Sequence, residues 1–423
     1  MENFSSYGFV IAASLIILIS YFFNVIARKK SIPSVLLLIL LGISLNQLMA
    51  FLEFQEINLL PVLEVLGIIG LIMIVLEAAL DLKISKEKSK TIYKSLSISF
   101  LSLLFTSVLV SLMIQYYIKA DFWHALLYGL PLSIMSSAII IPSVANLSPE
   151  KKEFMIYEGT FSDIFGIMLF YFLIQGFEAS NAREISLFIS GNIFITVFVS
   201  ITASYLLVLL IQNIKAEVKL FVLISILVIL YSIGKLFHIS SLFIILVFGL
   251  VLNNYNLFFR GKLKKYINPL AVDTLYTNLR MITLESSFVV RTFFFVIFGM
   301  SIMLTSLLSI KLLIFSLAIL AIIYGIRFLA LRIILGKSIQ PEIYTAPRGL
   351  ITILLYYSIP KELVLPEFDP GILFYIIIIS SLVMAVSLIT NGKKKKKLND
   401  DEPDEGLEDL KRKMETNQDN ISH

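Results

Sequence analysis

The sequence predicts an all-α integral membrane protein with about 13 transmembrane helices, built as two inverted six-helix repeats whose fifth helices are broken. Three observations lead there. The first is composition: 58 % of the 423 residues are hydrophobic and only 15 % charged, and the mean hydropathy is +0.90. Soluble domains run near 45–50 % apolar and about 25 % charged, so the surplus apolar surface needs a bilayer as its solvent. The second is the repeated apolar run of about 20 residues, the length that crosses a ~30 Å hydrocarbon core. The third is the alternation of basic residues between successive linkers.

Read on the bilayer scale, the spans fall at 8–27, 33–51, 60–82, 95–118, 123–147, 153–176, 185–212, 218–237, 239–258, 285–308, 311–335, 342–359 and 369–390. The turn at 237–239 is the weakest divider, marked only by Lys235 and His238. One alternate set of linkers (28–30, 83–94, 151–152, 215–219, 260–265 and 337) carries 17 lysines and arginines. The other set carries five: Lys119, Arg183, Lys235, Lys311 and Lys361. Basic residues favour the cytoplasmic side, which places the N-terminus outside and the C-terminus inside, in a multi-pass plasma-membrane protein. Lys393 to Lys397 then fall on the inner side, as a stop-transfer cluster does.

Thirteen spans divide as six, one and six, so span 1 starts outside and span 8 inside. Parity and punctuation carry this inverted repeat, not residue similarity between the halves. Span 5 contains Ser136-Ser137-Ala138 and Pro142, and span 12 contains Ala346-Pro347-Arg348-Gly349. Broken helices at matching places point to a binding site at the membrane midplane. The chain therefore divides into a transmembrane domain, 1–390, and a tail, 391–423. Five lysines, an acidic run from Asp400 to Asp409 and further polar residues predict a disordered cytoplasmic tail.

Several function classes drop out. There is no cysteine, hence no disulfide framework or thiolate metal site. His124, His238 and His423 are too scattered for a zinc cluster. No G-x-x-x-x-G-K-[ST] segment is present for ATP hydrolysis, so no nucleotide is expected. The net charge of +5 lies in short clusters between apolar runs and predicts no nucleic-acid partner. Met1-Glu2-Asn3-Phe4 offers no positive leader, so the first apolar run is expected to stay in the mature protein. The expected partner is the lipid bilayer, with no cofactor and no enzymatic activity.

Ionisable groups at membrane depth cost at least ~2.5–3.5 kcal/mol on insertion scales and are functional candidates. Five stand out: Glu77, Glu158, Asp163, Arg291 and Arg348. With a rise of 1.5 Å per residue, Glu158 lies roughly 8 Å and Asp163 roughly 15 Å into span 6, which puts Asp163 at the midplane. Arg348 lies roughly 9 Å into span 12, level with Glu158. Five residues at 100° each set Glu158 and Asp163 about 140° apart around their helix, so they cannot share one task. Glu158 is expected to form a structural ion pair with Arg348, with Arg291 as the rival partner. Gly159, on the Asp163 face, is expected to leave room for an ion or water, and Ser162 adjoins with a hydroxyl. Glu77 sits about a turn and a half before the inner end of span 3, either snorkelling to the interface or approaching the site.

These residues resemble the monovalent cation:proton antiporter superfamily, in its sodium/proton exchanger branch. Glu158-Gly-Thr-Phe-Ser-Asp163 is similar to the family's E-x-x-x-N-D motif, and Ala346-Pro347-Arg348-Gly349 to its G-x-R-G segment, whose arginine pairs with that glutamate. Leu76-Glu77-Ala78-Ala79 resembles F-E-x-G, and Ser136-Ser137-Ala138 takes the place of T-D-P in the broken fifth span. The asparagine before the aspartate is here Ser162 and the span-5 aspartate is Ser137, so one midplane carboxylate remains.

The resemblance implies a secondary antiporter for a monovalent cation, Na⁺ first, working in pH homeostasis. Asp163 would alternate between cation and proton, with ligands from Ser136, Ser137, Ser162 and Glu77. It also implies a homodimer, with core helices within 123–176 and 342–390 moving against a scaffold within 8–82 and 185–308. One carboxylate predicts one cation for one proton, which is electroneutral. The alternatives are K⁺/H⁺ exchange or an inverted-repeat carrier for an organic solute. An intramembrane aspartyl protease needs a second facing aspartate, which the spans do not supply.

Overall fold

The computed structural model describes residues 6–401 apart from 31, 53–59, 145–146, 178–181, 214–218, 237–240, 302–308 and 337–338. Among the described residues there is helix and no strand. Four helices open the chain: α1 (Ser6–Lys30), α2 (Ser34–Phe51), α3 (Leu60–Asp81) and α4 (Ser89–Ile118). Then come α5 (Phe122–Ser133), α6 (Ser137–Ser143) and α7 (Pro149–Gly176). The middle of the chain forms α8 (Ala182–Ile211), α9 (Lys219–Leu236), α10 (Ser241–Asn253) and the single turn α11 (Tyr255–Phe258). The last four are α12 (Pro269–Met300), α13 (Ile310–Leu335), α14 (Leu350–Tyr357) and α15 (Gly371–Asp401).

Each expected span overlaps a helix or a broken pair. Among the described residues, eight are long and apolar enough to cross a bilayer, counting α5 and α6 as one. Local chemistry sets the boundaries. Asp121 accepts from the Trp123 N–H at 2.9 Å and starts α5. Pro149 stands in the first turn of α7, where its missing N–H costs nothing. Gly336, at φ 83°, ends α13 in a conformation that a side chain would resist.

Two boundaries depart from the sequence reading. The helix expected at 285–308 begins at Pro269, because Asn268 caps it by accepting from the Ala271 N–H at 3.3 Å. Its 32 residues span about 48 Å, well beyond a ~30 Å core. The tail expected to be disordered from 391 instead continues α15 to Asp401. Lysine is a good helix former and a formed helix extends at little cost. The rest of the tail, 402–423, and the turn at 237–239 lie outside the described residues.

The packing separates two groups. α4, α5, α7, α13, α14 and α15 pack on one another, while α2, α3, α8, α10 and α12 form a second assembly with α1 and α9 against it. α4 and α13 therefore join the broken helices, an arrangement the sequence left open. In the second group Gly42 meets Gly299 so closely that a Cβ on Gly42 would lie 2.1 Å from the Val296 carbonyl oxygen. Contacts of α7 with α3 and α10, and of α14 with α3, bridge the groups.

Candidate ion site

α5 and α6 are separated by an extended stretch, Ile134 to Ser136. Pro131 lies three residues before the break, where its ring and missing N–H weaken the last turn of α5. The second break is residues 345–349, where Pro347 disfavours helix at Ala346. The two breaks cross. The Ser136 N–H donates to the Pro347 carbonyl at 2.9 Å. Gly349 permits the approach, since a Cβ there would lie 2.6 Å from Ile139 Cδ1 and 2.8 Å from Ser136 Oγ.

α7 runs beside this crossing and meets it with one face. Gly159, Asp163 and Gly166 share that face at helical spacing. A Cβ on Gly159 would lie 3.3 Å from Ser137 Cα, and one on Gly166 only 2.3 Å from Ile134 Cδ1. The glycines form a groove that admits the broken segment. The room expected beside Gly159 is thus filled by Ser137 and Ile140, not left for an ion.

Asp163 is 3 % exposed. Its Oδ2 accepts from the Ser137 N–H at 3.2 Å and from the Ser137 hydroxyl. Its Oδ1 has no hydrogen-bond partner among the described residues. The carboxylate borders a narrow cleft, otherwise walled by apolar side chains of α3, α7, α10 and α14 such as Val75, Ile167, Leu246 and Ile351. The cleft lies where the two helix groups face one another. Among the described residues, no group of three or more His, Cys, Asp and Glu side chains gathers to hold a metal ion.

The other expected ligands are placed differently. Ser137 is in the cradle. Ser162 turns its hydroxyl to accept from the Met135 N–H at 2.9 Å, which fastens the broken stretch to α7. Ser136 Oγ is buried and without a partner among the described residues. Glu77 does not border the Asp163 cleft. It lies 60° to 160° around α3 from the residues that do, by 100° steps, and faces Arg291 of α12 at 3.4 Å. One turn on, Asp81 binds Arg280 at 2.7 Å.

The expected Glu158–Arg348 ion pair is absent. Glu158, 0 % exposed, is held by Arg327 of α13, with Nη1 to Oε1 at 2.6 Å and Nη2 to Oε2 at 3.0 Å. Arg327 also donates to the Glu342 carbonyl, at 3.0 Å from Nε and 2.7 Å from Nη2. Lys151, at the start of α7, pairs with the Glu342 carboxylate at 2.8 Å. Arg291, the rival, is occupied by Glu77. Arg348 instead turns to the end of α5 and donates to Leu132 O at 3.0 Å, Ser133 O at 3.2 Å and its own segment's Ala346 O at 2.6 Å. A cation suits a helix C-terminus, where carbonyls have lost their partners. Equal depth had suggested Arg348, but depth cannot tell which way a side chain turns. The signal for Arg327 was available: it lies eight residues before the end of α13, about 12 Å in, with no acid on its own helix.

Residues 13–391 match the family model for "Sodium/hydrogen exchanger, transmembrane". The chain belongs to the sodium/hydrogen exchanger family. This exchanger is accordingly a multi-pass membrane transport protein and not an enzyme. Its fold is that of a solved structure of the sodium proton antiporter MjNhaP1 from Methanocaldococcus jannaschii at pH 8. That match has a TM-score of 0.66 and 20 % identity over 91 % of this chain and 96 % of the other. An electron-microscopy structure of the same antiporter matches with a TM-score of 0.65 and 19 % identity, over 93 % and 97 % of the two chains. No curated protein matches this exchanger significantly in sequence.

Proposed function

We propose that this exchanger moves Na⁺ against H⁺ by letting the two ions alternate at the Asp163 carboxylate, one for one. The observation that carries the reading is the state of that carboxylate. One oxygen is fixed by Ser137, the other is free of protein partners, and the residue borders an apolar-walled cleft between two helix groups. A fixed oxygen orients the group, and a free one can accept a proton or ligate a hard cation. The two occupants compete for the same lone pairs, so their fluxes are coupled.

In this reading Ser137 positions Asp163, Ser136 Oγ and carbonyls of the broken segments complete the cation's shell, and Ser162 holds the segment in place. Glu158 and Arg327 keep the crossing rigid. The moving unit is α4 to α7 with α13 to α15, and the scaffold is α1 to α3 with α8 to α12. The protein is proposed to lie in the plasma membrane as a homodimer, N-terminus outside and C-terminus inside. The relatives named above are described as sodium proton antiporters, which supports Na⁺ as the first ion to test. Proteoliposomes loaded with a pH dye and given Na⁺, Li⁺, K⁺ or sucrose test this. Alkalinisation by Na⁺ or Li⁺ is expected. A response to K⁺ alone would replace sodium with potassium, and no cation response would end the proposal.

A further inference from the structure

A second, small chamber lies on the opposite side of α7 from the Asp163 cleft. Its walls come from α4, the end of α5, α7, α13 and the second break; beside the apolar Leu103, Met135 and Ile323 they carry Ser99, Ser102, Ser162, Glu158, Arg327 and Arg348. Nothing in the exchange mechanism uses this space.

We propose that the chamber binds one small monovalent anion, of the halide class. The first argument is charge. The lining holds two guanidinium groups and one carboxylate, and that carboxylate has both oxygens taken by Arg327. Arg348, 4 % exposed, is surrounded by carbonyls and keeps one positive charge unmatched in the wall. Asp163 does not supply the counter-charge, because it faces the other cleft, about 140° around α7 from Glu158.

The second argument is donors. A guanidinium carries five N–H groups. Arg348 commits three of them to Leu132, Ser133 and Ala346, so two remain. On α4, Ser99 is 3 % exposed, and the hydroxyls of Ser99 and Ser102 are buried without a partner among the described residues. At a spacing of three residues they lie on the same face. Serines nearby behave otherwise: Ser111, Ser133 and Ser143 each donate to the carbonyl four residues earlier. A buried hydroxyl without an acceptor is costly. Two spare guanidinium N–H groups and two spare hydroxyls want one acceptor that also brings a negative charge. Water would satisfy the hydroxyls and leave the charge. A divalent oxyanion would overcompensate a single positive charge.

The test uses the full chain in detergent at fixed pH and fixed Na⁺, with thermal unfolding followed by circular dichroism. Sodium gluconate is replaced stepwise by sodium chloride or bromide. Both halides are expected to raise the midpoint in a saturable way, while sulfate at equal Na⁺ gives only the gradual, non-saturating rise of an excluded salt. Ser99→Ala with Ser102→Ala is expected to raise the half-saturating halide concentration about tenfold or more, since hydrogen bonds to a charged group are worth about 1.5–3 kcal/mol. Anomalous scattering from bromide should place the ion in the chamber. Equal midpoints in chloride and gluconate, an unchanged half-saturation in the double variant, or bromide found elsewhere would each overturn the proposal. These readouts need no transport, so they stand or fall apart from the Asp163 reading.

Discussion

Breaking the Glu158–Arg327 pair from either side should expose how much of the core rests on it. Arg327→Met keeps the length and apolar stem of the side chain but removes two hydrogen bonds to Glu158, at 2.6 and 3.0 Å, and two to the Glu342 carbonyl, at 3.0 and 2.7 Å. Glu158 would then be a lone carboxylate at 0 % exposure. Removing one member of a buried pair costs about 3–5 kcal/mol, mostly from the charge left behind. Glu158→Gln should cost less, about 1.5–3 kcal/mol, because Arg327 keeps the Glu342 carbonyl. The double variant leaves neither charge behind, so the two losses should not add; a coupling of about 2 kcal/mol falls within the range for residues in contact. The same cycle between Glu158 and Arg348→Met should give a clearly smaller coupling than the Arg327 cycle, because no hydrogen bond joins those two side chains even though both border one pocket. Reversible unfolding in mixed detergent and SDS micelles measures all four corners. Coupling to Arg348 as large as that to Arg327 would refute the assignment.

Other outcomes follow from the same geometry. Asp163→Asn should abolish cation-dependent proton movement in proteoliposomes while inserting and unfolding like the parent; substantial residual exchange would remove Asp163 from the mechanism. Gly166→Ala sets a Cβ 2.3 Å from Ile134 Cδ1 and should destabilise by about 1–3 kcal/mol through overpacking, with Ile134→Ala in the same chain recovering part of the loss. Glu77→Gln should keep one-for-one exchange, because Glu77 is turned to Arg291 and not to the cleft; loss of proton coupling with normal folding would make it a carrier.

Much of this was legible in the sequence. The break in span 5 was placed correctly at Ser136-Ser137, although Pro142, also read as a breaker, lies inside α6 and Pro131 is the proline beside the break; that in span 12 could be read from Pro347-Arg348-Gly349, because proline and glycine act locally. Asp163 was singled out because a carboxylate deep in an apolar span is costly, and the structure buries it beside the break in span 5. What escaped was direction. Arg348 and Arg327 both reach the level of Glu158, and only the fold shows that one turns to the carbonyls ending α5 and the other to the carboxylate. Gly159 was rightly placed on the Asp163 face, but the space it opens is taken by the crossing segment. The length of α12 was missed for another reason: its first turns are polar, and hydropathy marks the membrane, not the helix.

The commitment of each buried acid leads to the last expectation, on charge movement. Glu158 has both oxygens on Arg327, Glu77 faces Arg291, and Glu342 is paired with Lys151. Among these buried acids Asp163 alone borders the cleft between the helix groups, with no cationic side chain lining that cleft among the described residues. One such group holds one proton or one Na⁺, and either occupant leaves the same net charge on the moving helices. A membrane potential acts on net charge at about 2.3 kcal/mol per elementary charge per 100 mV, so a cycle that moves none should turn over at the same rate at any voltage. Proteoliposomes clamped by potassium and valinomycin should therefore show equal initial Na⁺/H⁺ rates at zero and at −100 mV, and solid-supported membranes should show no transport current on a Na⁺ jump. A current that reverses with the Na⁺ gradient would mean that a second titrating group travels with Asp163, and the pairings of Glu77 and Glu158 would have to open during the cycle.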